Sequence, residues 1–207
     1  MLVDEEPDCF AGLKVLLVGG EAPSPAHLRK LLDRHPGIAV WNGYGPSECT
    51  VFATCHPVPA DIDPQARAVP IGRPIGDRVV HLLDGAMRPV PIGVAAVAQG
   101  YLGEPALTAE RLVPDPFSPE PGARLYRTGD YGRRLAGGAI EFAGRRDDQV
   151  KLRGFRIELG EIEAQLRADP GLREAACILH TDREGSRLVA YVVPASAEAG
   201  AAGRGPP

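Results

Sequence analysis

The sequence predicts an α/β plus β fold: an α/β unit, then a β-rich stretch, then the beginning of a second, small α/β unit. Three observations predict it. Residues 13–41 read as strand, helix and strand. Gly and Pro are abundant, at 25 and 21 of 207 residues, and separate short apolar runs through the middle of the chain. From residue 147 the pattern becomes two short strands, a helix and two further strands. Apolar residues are 44% and charged residues 24% of the chain, ordinary globular proportions that exclude bulk disorder. The length exceeds the usual mode of about 100–150 residues, so it accommodates one substantial domain or one and a fraction.

Residues 1–6 read as the end of an amphipathic helix, and Met1 is consistent with an internal methionine of a longer reading frame. Residues 13–18 form an apolar run rich in β-formers that ends on Gly19-Gly20, as a buried parallel strand entering a ligand-facing turn does. Ser24 is an N-cap and Pro25 suits the first helical position, while Leu28, Leu31 and Leu32 share one face. Pro36-Gly37 stops that helix. Residues 38–41 return as a strand, closing a βαβ unit whose strand ends lead into glycine-containing loops, where open α/β sheets bind ligands. Residues 69–72, 79–84 and 139–142 read as pieces of a β-subdomain, interrupted by a short helix over 108–112. After Asp147 the chain reads as strand, turn, strand through residues 150–157. A helix then starts near Leu159 with Ile162 and Leu166 inward, and it ends at Pro170-Gly171. Residues 175–180 and 188–193 are strands, and 195–207 is a flexible tail of Ala, Gly and Pro.

The net charge of −4, with Lys and Arg spread along the chain, argues against a nucleic-acid partner. Cys9, Cys49, Cys55 and Cys177 show neither CxxC nor Cys/His ligand spacing, so free, inert thiols are expected rather than a zinc site or disulfides. No signal-peptide core and no apolar run near the ~20 residues of a membrane span occurs, which leaves the cytoplasm as the default compartment and no membrane partner.

Three segments carry chemistry. Asn42-Gly43-Tyr44-Gly45-Pro46-Ser47-Glu48 puts an aromatic ring, a hydroxyl and a carboxylate on a backbone stripped of bulk, a combination suited to a nucleotide with phosphate and metal. Tyr126-Arg127-Thr128-Gly129-Asp130 offers a second carboxylate beside a turn glycine. Gly144-Arg145-Arg146-Asp147, continuing through Gln149-Val150-Lys151-Leu152-Arg153-Gly154, offers a cationic strand. Read singly, Gly19-Gly20-Glu21 is a common strand-to-helix turn and residues 145–148 a solvated loop of mixed charge.

In this order the segments resemble the adenylation domain of nonribosomal peptide synthetases, within the acyl-adenylate-forming superfamily, from about residue 13 to 194. The resemblance implies that 1–146 is the C-terminal portion of the large adenylation core, with 1–56 its α/β part and 57–146 its β-rich part. It implies that 147–194 is the hinge and the beginning of the small C-terminal subdomain. The cofactors it implies are ATP and Mg²⁺, with the phosphopantetheine of a carrier domain as acyl acceptor. Ser47 and Glu48 are then the catalytic candidates, Ser47 on the α-phosphate and Glu48 on the metal. Gly20, Asn42, Gly43, Tyr44 and Gly45 are candidates for holding the nucleotide, Asp130 for the ribose and Arg145 for the ribose and phosphate end. Asp147 and Lys151 are hinge candidates, and the stretch through Glu163 resembles the peptide-synthetase type rather than acyl-CoA ligases or luciferase-like enzymes.

Leu17, Gly19, Gly43, Val51 and Phe52 correspond to substrate-pocket positions, where two glycines leave space and three apolar residues line it. That partial set resembles pockets for branched aliphatic amino acids, valine above all. The implied partners are the amino acid, a peptidyl carrier domain and the remainder of the adenylation domain. The family's phosphate loop and the aspartate for the substrate ammonium are expected upstream of Met1, and the catalytic lysine beyond Pro194. Residues 91–95 run straight into 96–102 where the family has a further strand, so the β-subdomain is expected to be distorted, with unpaired edges beside the gap. The alternatives are a noncatalytic remnant that binds nucleotide weakly or serves as a docking module, and another acyl-adenylate-forming ligase.

Overall fold

The computed structural model describes residues 2–83, 90–95, 97–182 and 185–195. They fall into two compact units, Met1–Arg146 and Asp147–Pro207. The first opens with a short helix α1 (Leu2–Glu5) and a tight turn Pro7–Phe10, followed by strand β1 (Val15–Gly19), helix α2 (Pro25–Arg34) and strand β2 (Ala39–Tyr44). β1 and β2 pair in parallel, Leu17 opposite Trp41 and Gly19 opposite Gly43, which is the predicted βαβ unit. The Ser24 hydroxyl caps α2, lying 3.5 Å from the His27 amide and 2.8 Å from His27 Nδ1. Leu28, Leu31 and Leu32 are buried and pack with Ile38, Val40, Val58, Ile62 and Val69, with Leu16 and Val18 of β1 against them. α2 ends at Arg34, just ahead of Pro36-Gly37.

β1 is buried on one face only. Leu16 and Val18 face α2, while Val15 and Leu17 are 61% and 45% exposed on the other side, beside Trp41 at 38%. Parallel sheets are ordinarily covered on both faces, and among the described residues α2 covers just one. The expectation of a fully buried strand is corrected accordingly.

Strand β3 (Thr54–Pro57) pairs antiparallel with β2, and β4 (Arg73–Pro74) with β3. The second sheet contains β5 (Val80–Leu82), β6 (Val90–Ala95), β7 (Leu112–Pro114), β8 (Arg124–Arg134) and β9 (Ile140–Arg145), in the order β5-β6-β8-β7 with β9 also on β8. β6 has partners on both edges, with a register shift between Pro91 and Gly93. The expected unpaired edge is therefore absent at β6; residues 84–89 and 96 lie outside the described residues. The helix predicted over 108–112 is α3 (Pro105–Arg111), because Pro105 opens it and Leu112 already belongs to β7. Residues 69–72 form no strand; Gly72 makes a single bridge to Ile140. Its φ is +87°, and a Cβ there would sit 1.9 Å from the Cys55 carbonyl oxygen, so both conformation and space require glycine.

The second unit contains β10 (Gln149–Leu152), β11 (Phe155–Glu158), α4 (Leu159–Arg167), β12 (Leu172–Asp182) and β13 (Gly185–Pro194). β10 and β11 form a hairpin whose two turn residues, Arg153 and Gly154, have φ of +54° and +81°, the positive values that match strand twist. α4 lies on the β12/β13 hairpin: Glu163 Oε1 accepts from the Cys177 amide at 2.8 Å, and Arg167 Nη1 donates to the Ala175 carbonyl at 3.0 Å. The expected tail is described at Ala195 alone; 196–207 lie outside the described residues. No helix among the described residues is long and apolar enough to cross a membrane.

Candidate functional site

The loop after β2 is shaped by close backbone approaches. It passes through Gly45 and Pro46 into a tight turn Ser47–Cys49, then through Thr50 and Val51 with φ of +55° and +75°. The Ala53 amide donates to the Tyr44 carbonyl at 2.7 Å and closes the loop. A Cβ on Gly45 would meet the Val51 carbonyl oxygen at 2.6 Å and the Ala53 amide at 2.7 Å, so a larger residue would open it. Val51 is β-branched and held at positive φ, a strained conformation of the kind that costs about 1–3 kcal/mol.

Phe52 turns back over β1 and β2. A Cβ on Gly19 would approach its ring to 2.8 Å and one on Gly43 to 2.6 Å. Leu17, Gly19, Gly43 and Phe52 thus share one face of the sheet, with Val51 in the following loop. The space left by the two glycines is filled by the Phe52 ring rather than open, which corrects the reading of that space. Leu17 and Val51 are exposed.

Tyr44, Asp130 and Arg145 come together. Tyr44 ends β2, Asp130 sits in β8, and Arg145 ends β9 directly opposite Asp130. β8 alternates, so Tyr126, Thr128 and Asp130 fall on its buried face. Tyr44 OH donates to Asp130 Oδ2 at 2.5 Å and Arg145 Nη1 to Asp130 Oδ1 at 2.5 Å. Arg145 Nη2 also donates to the Thr128 carbonyl at 3.1 Å, and the Asp130 amide to Thr128 Oγ1 at 3.0 Å. Burial, then the neighbouring Asp130 charge, push the Tyr44 phenol well above its ordinary pKa, so it remains a donor at neutral pH.

Glu48 joins by a different route. Its Oε1 accepts from Tyr101 OH at 2.6 Å, and Tyr101 OH lies 3.2 Å from Tyr126 OH. Tyr126 is fully buried in the cluster against which Tyr44 and Tyr101 pack. Tyr101 is not among the residues that sequence reasoning singles out; its only signal is an aromatic hydroxyl after a glycine in a loop. Asn42 is 3% exposed and its amide donates to the Pro70 carbonyl at 2.9 Å, so its side chain ties down the segment before β4 rather than facing a ligand. Gly20 has φ +90° with nothing within 4 Å of a Cβ position, an open turn. Ser47 is exposed at the start of its turn. In the second unit, Asp147 is the first residue and half-buried, and Lys151 is exposed on β10 opposite Arg156.

The donor chemistry suits a hard cation. Among the described residues no group of three or more His, Cys, Asp or Glu is placed to hold a metal by itself. Mg²⁺ is commonly held by one or two carboxylates plus substrate phosphates, and Glu48 is a single carboxylate of that kind. Burial, then the Glu48 charge, push the neighbouring Cys49 thiol up to about 12.

A family model described as AMP-binding enzyme matches residues 1–103. The chain is 48% identical over 202 residues to a subunit of the linear gramicidin synthase of Brevibacillus parabrevis, covering 93% of this chain and 3% of that protein. It is 45% identical over 200 residues to a subunit of the plipastatin synthase of Bacillus subtilis, covering 92% of this chain and 8% of that one. It therefore spans a small fraction of the length of these relatives. Among solved structures, a holo NRPS protein containing adenylation and PCP domains, bound to a vinylsulfonamide inhibitor, superposes with a TM-score of 0.84 at 37% identity. That match covers 96% of this chain and 36% of the other. The chain belongs to the AMP-binding, acyl-adenylate-forming enzymes, in the branch of nonribosomal peptide synthetase adenylation domains. Its mixed α/β architecture is that of part of such a domain.

Proposed function

We propose that this chain supplies the nucleotide-binding part of an amino-acid-activating adenylation domain. The observation that carries the reading is the Tyr44, Asp130 and Arg145 cluster, drawn from three strands and two sheets into one hydrogen-bonded group. In the proposed reaction an amino acid carboxylate oxygen attacks the α-phosphorus of ATP, the bond to the bridging oxygen breaks, and pyrophosphate leaves. A phosphopantetheine thiol of a carrier domain then takes the acyl group and releases AMP. Catalysis rests on positioning and on charge neutralisation at phosphorus rather than on a protein nucleophile.

The loop backbone at Gly43 and Gly45 and the Tyr44 ring hold the adenine, with Gly20 at the neighbouring strand end. The exposed Ser47 hydroxyl donates to the α-phosphate. Asp130 accepts from the ribose hydroxyls, since each carboxylate oxygen has more than one lone pair. Arg145 holds Asp130 and adds positive charge at the ribose and phosphate end. Glu48 takes Mg²⁺, which when bound offsets phosphate charge at the reacting phosphorus. Leu17 and Val51 line the approach to a branched aliphatic side chain, with the Phe52 ring as the floor over Gly19 and Gly43. Asp147 and Lys151 serve the hinge. The uncovered face of Val15, Leu17 and Trp41 supports a further part of this reading, that the remainder of the adenylation domain packs there.

The test is amino-acid-dependent ATP–pyrophosphate exchange, on this chain and on one extended at both ends. Valine-dependent exchange in the extended form supports the reading. Exchange in neither form, with nucleotide binding retained, moves the assignment to a noncatalytic nucleotide-binding module.

A further inference from the structure

We propose that Tyr101 is a positioning residue for the Glu48 carboxylate, fixing its orientation toward a divalent cation bound with ATP. The inference rests on the proposed role of Glu48 and extends it to a side chain 53 residues away in sequence.

Hydrogen-bond direction carries the first part. An ionised carboxylate only accepts, so the 2.6 Å contact to Glu48 Oε1 uses the single Tyr101 hydroxyl proton. The 3.2 Å contact to Tyr126 must then be donated by Tyr126, which sets a directed chain from Tyr126 to Tyr101 to Glu48. Such a chain polarises its members and holds the carboxylate in one orientation.

Tyr101 is itself braced. Its amide donates to Thr108 Oγ1 at 3.0 Å, its carbonyl accepts from the Glu104 amide at 3.2 Å, and Thr108 Oγ1 donates to the Glu104 carbonyl at 2.8 Å. A Cβ on Gly100 would meet Thr108 Cγ2 at 2.8 Å, so the preceding glycine lets the segment lie against α3. The same segment grips Glu48 by its backbone, the Ala98 amide donating to the Glu48 carbonyl at 2.8 Å. The stretch 98–101 therefore holds Glu48 at main chain and side chain together. Groups that orient a metal-binding carboxylate in this manner typically change metal affinity by about 10–100-fold when removed.

The experiment uses the full 207-residue chain. Mn²⁺ binding with saturating ATP is followed by electron paramagnetic resonance, and ATP binding in EDTA by calorimetry, for the parent, Tyr101→Phe and Glu48→Gln. Tyr101→Phe keeps the ring and removes only the hydroxyl. The expected result is about 10–100-fold weaker Mn²⁺ binding with metal-free ATP affinity unchanged, a split that mere loosening of the fold would not produce. Should Tyr101→Phe fail to fold, Thr108→Val, which loosens the brace and leaves both phenols in place, is expected to weaken Mn²⁺ in the same direction. Parent-like Mn²⁺ affinity in the tyrosine variant, with loss in Glu48→Gln, overturns the role of Tyr101 and leaves that of Glu48 standing. Parent-like affinity in Glu48→Gln, or no Mn²⁺-dependent ATP binding by the parent chain, overturns the proposed role of Glu48 and this inference with it.

Discussion

Replacing Arg145 by Met tests the energetics of the site most sharply. The Asp130 side chain is 7% and the Arg145 side chain 14% exposed, and their oxygen and nitrogen are 2.5 Å apart. Water therefore screens the pair little, and removing the cation leaves a carboxylate in a largely dry setting, with the Tyr44 hydroxyl among its remaining donors. Breaking a buried pair in this way costs about 3–5 kcal/mol. At roughly 2–4 °C per kcal/mol for a chain of this size, the melting temperature should fall by about 6–20 °C. Adding Asp130→Leu removes the stranded charge and should recover much of the loss, but it leaves the Tyr44 hydroxyl without its acceptor, at about 1–3 kcal/mol. Adding Tyr44→Phe should recover most of that remainder. Urea and thermal denaturation followed by circular dichroism measure all three steps. A single Arg145→Met change of less than about 0.5 kcal/mol, the value of an exposed surface pair, would refute the reasoning.

Gly43→Ala should destabilise the first unit by about 1–3 kcal/mol, because its Cβ would lie 2.6 Å from the Phe52 ring; urea denaturation should show Phe52→Ala relieving part of that loss when the two are combined. Cys49 predicts an alkaline weakness. Its folded pKa is raised from 9.0 to about 12, so its contribution to stability is full below pH 9 and is lost as pH rises through 12, at up to about 1.4 kcal/mol per pH unit. Urea midpoints at pH 8 and 10.5 should therefore fall less in Cys49→Ala than in the parent chain, and equal slopes would count against a protonated buried thiol. Ser24→Ala should lower stability by about 1 kcal/mol through loss of the α2 cap, read as a shift in the thermal midpoint.

Features with short-range causes were legible in the sequence. α2 declares itself by Ser24, Pro25 and three leucines, and the β10/β11 hairpin by Arg153-Gly154 between alternating residues. The family was legible too, through the resemblance carried by Asn42 to Glu48 and Arg145 to Glu163, and the match to AMP-binding enzymes and to synthetase subunits agrees with it. Long-range geometry was not. Nothing in the local pattern tells that the Phe52 ring lies over Gly19 and Gly43, since that depends on the left-handed turn at Thr50 and Val51 reversing the chain. Asn42 sits within the segment whose resemblance implies nucleotide binding, yet its amide bonds the Pro70 carbonyl, a partner 28 residues away. The Tyr101 link to Glu48 arises from a loop braced by α3, for which an aromatic beside glycine is a weak cue. The gap after Ala95 suggests a broken sheet, whereas β6 pairs with β5 in regular register and with β8 across a register shift.

We propose that Tyr44, Asp130 and Arg145, brought together from strands far apart in sequence, line one adenosine-nucleotide site. Photolabelling the full chain with 8-azido-ATP, with peptide mapping of the adduct, tests that claim most directly. Label is expected within residues 42–48, competed away by AMP and lost in Asp130→Ala; label confined to other segments, or indifferent to AMP and to Asp130, would contradict it.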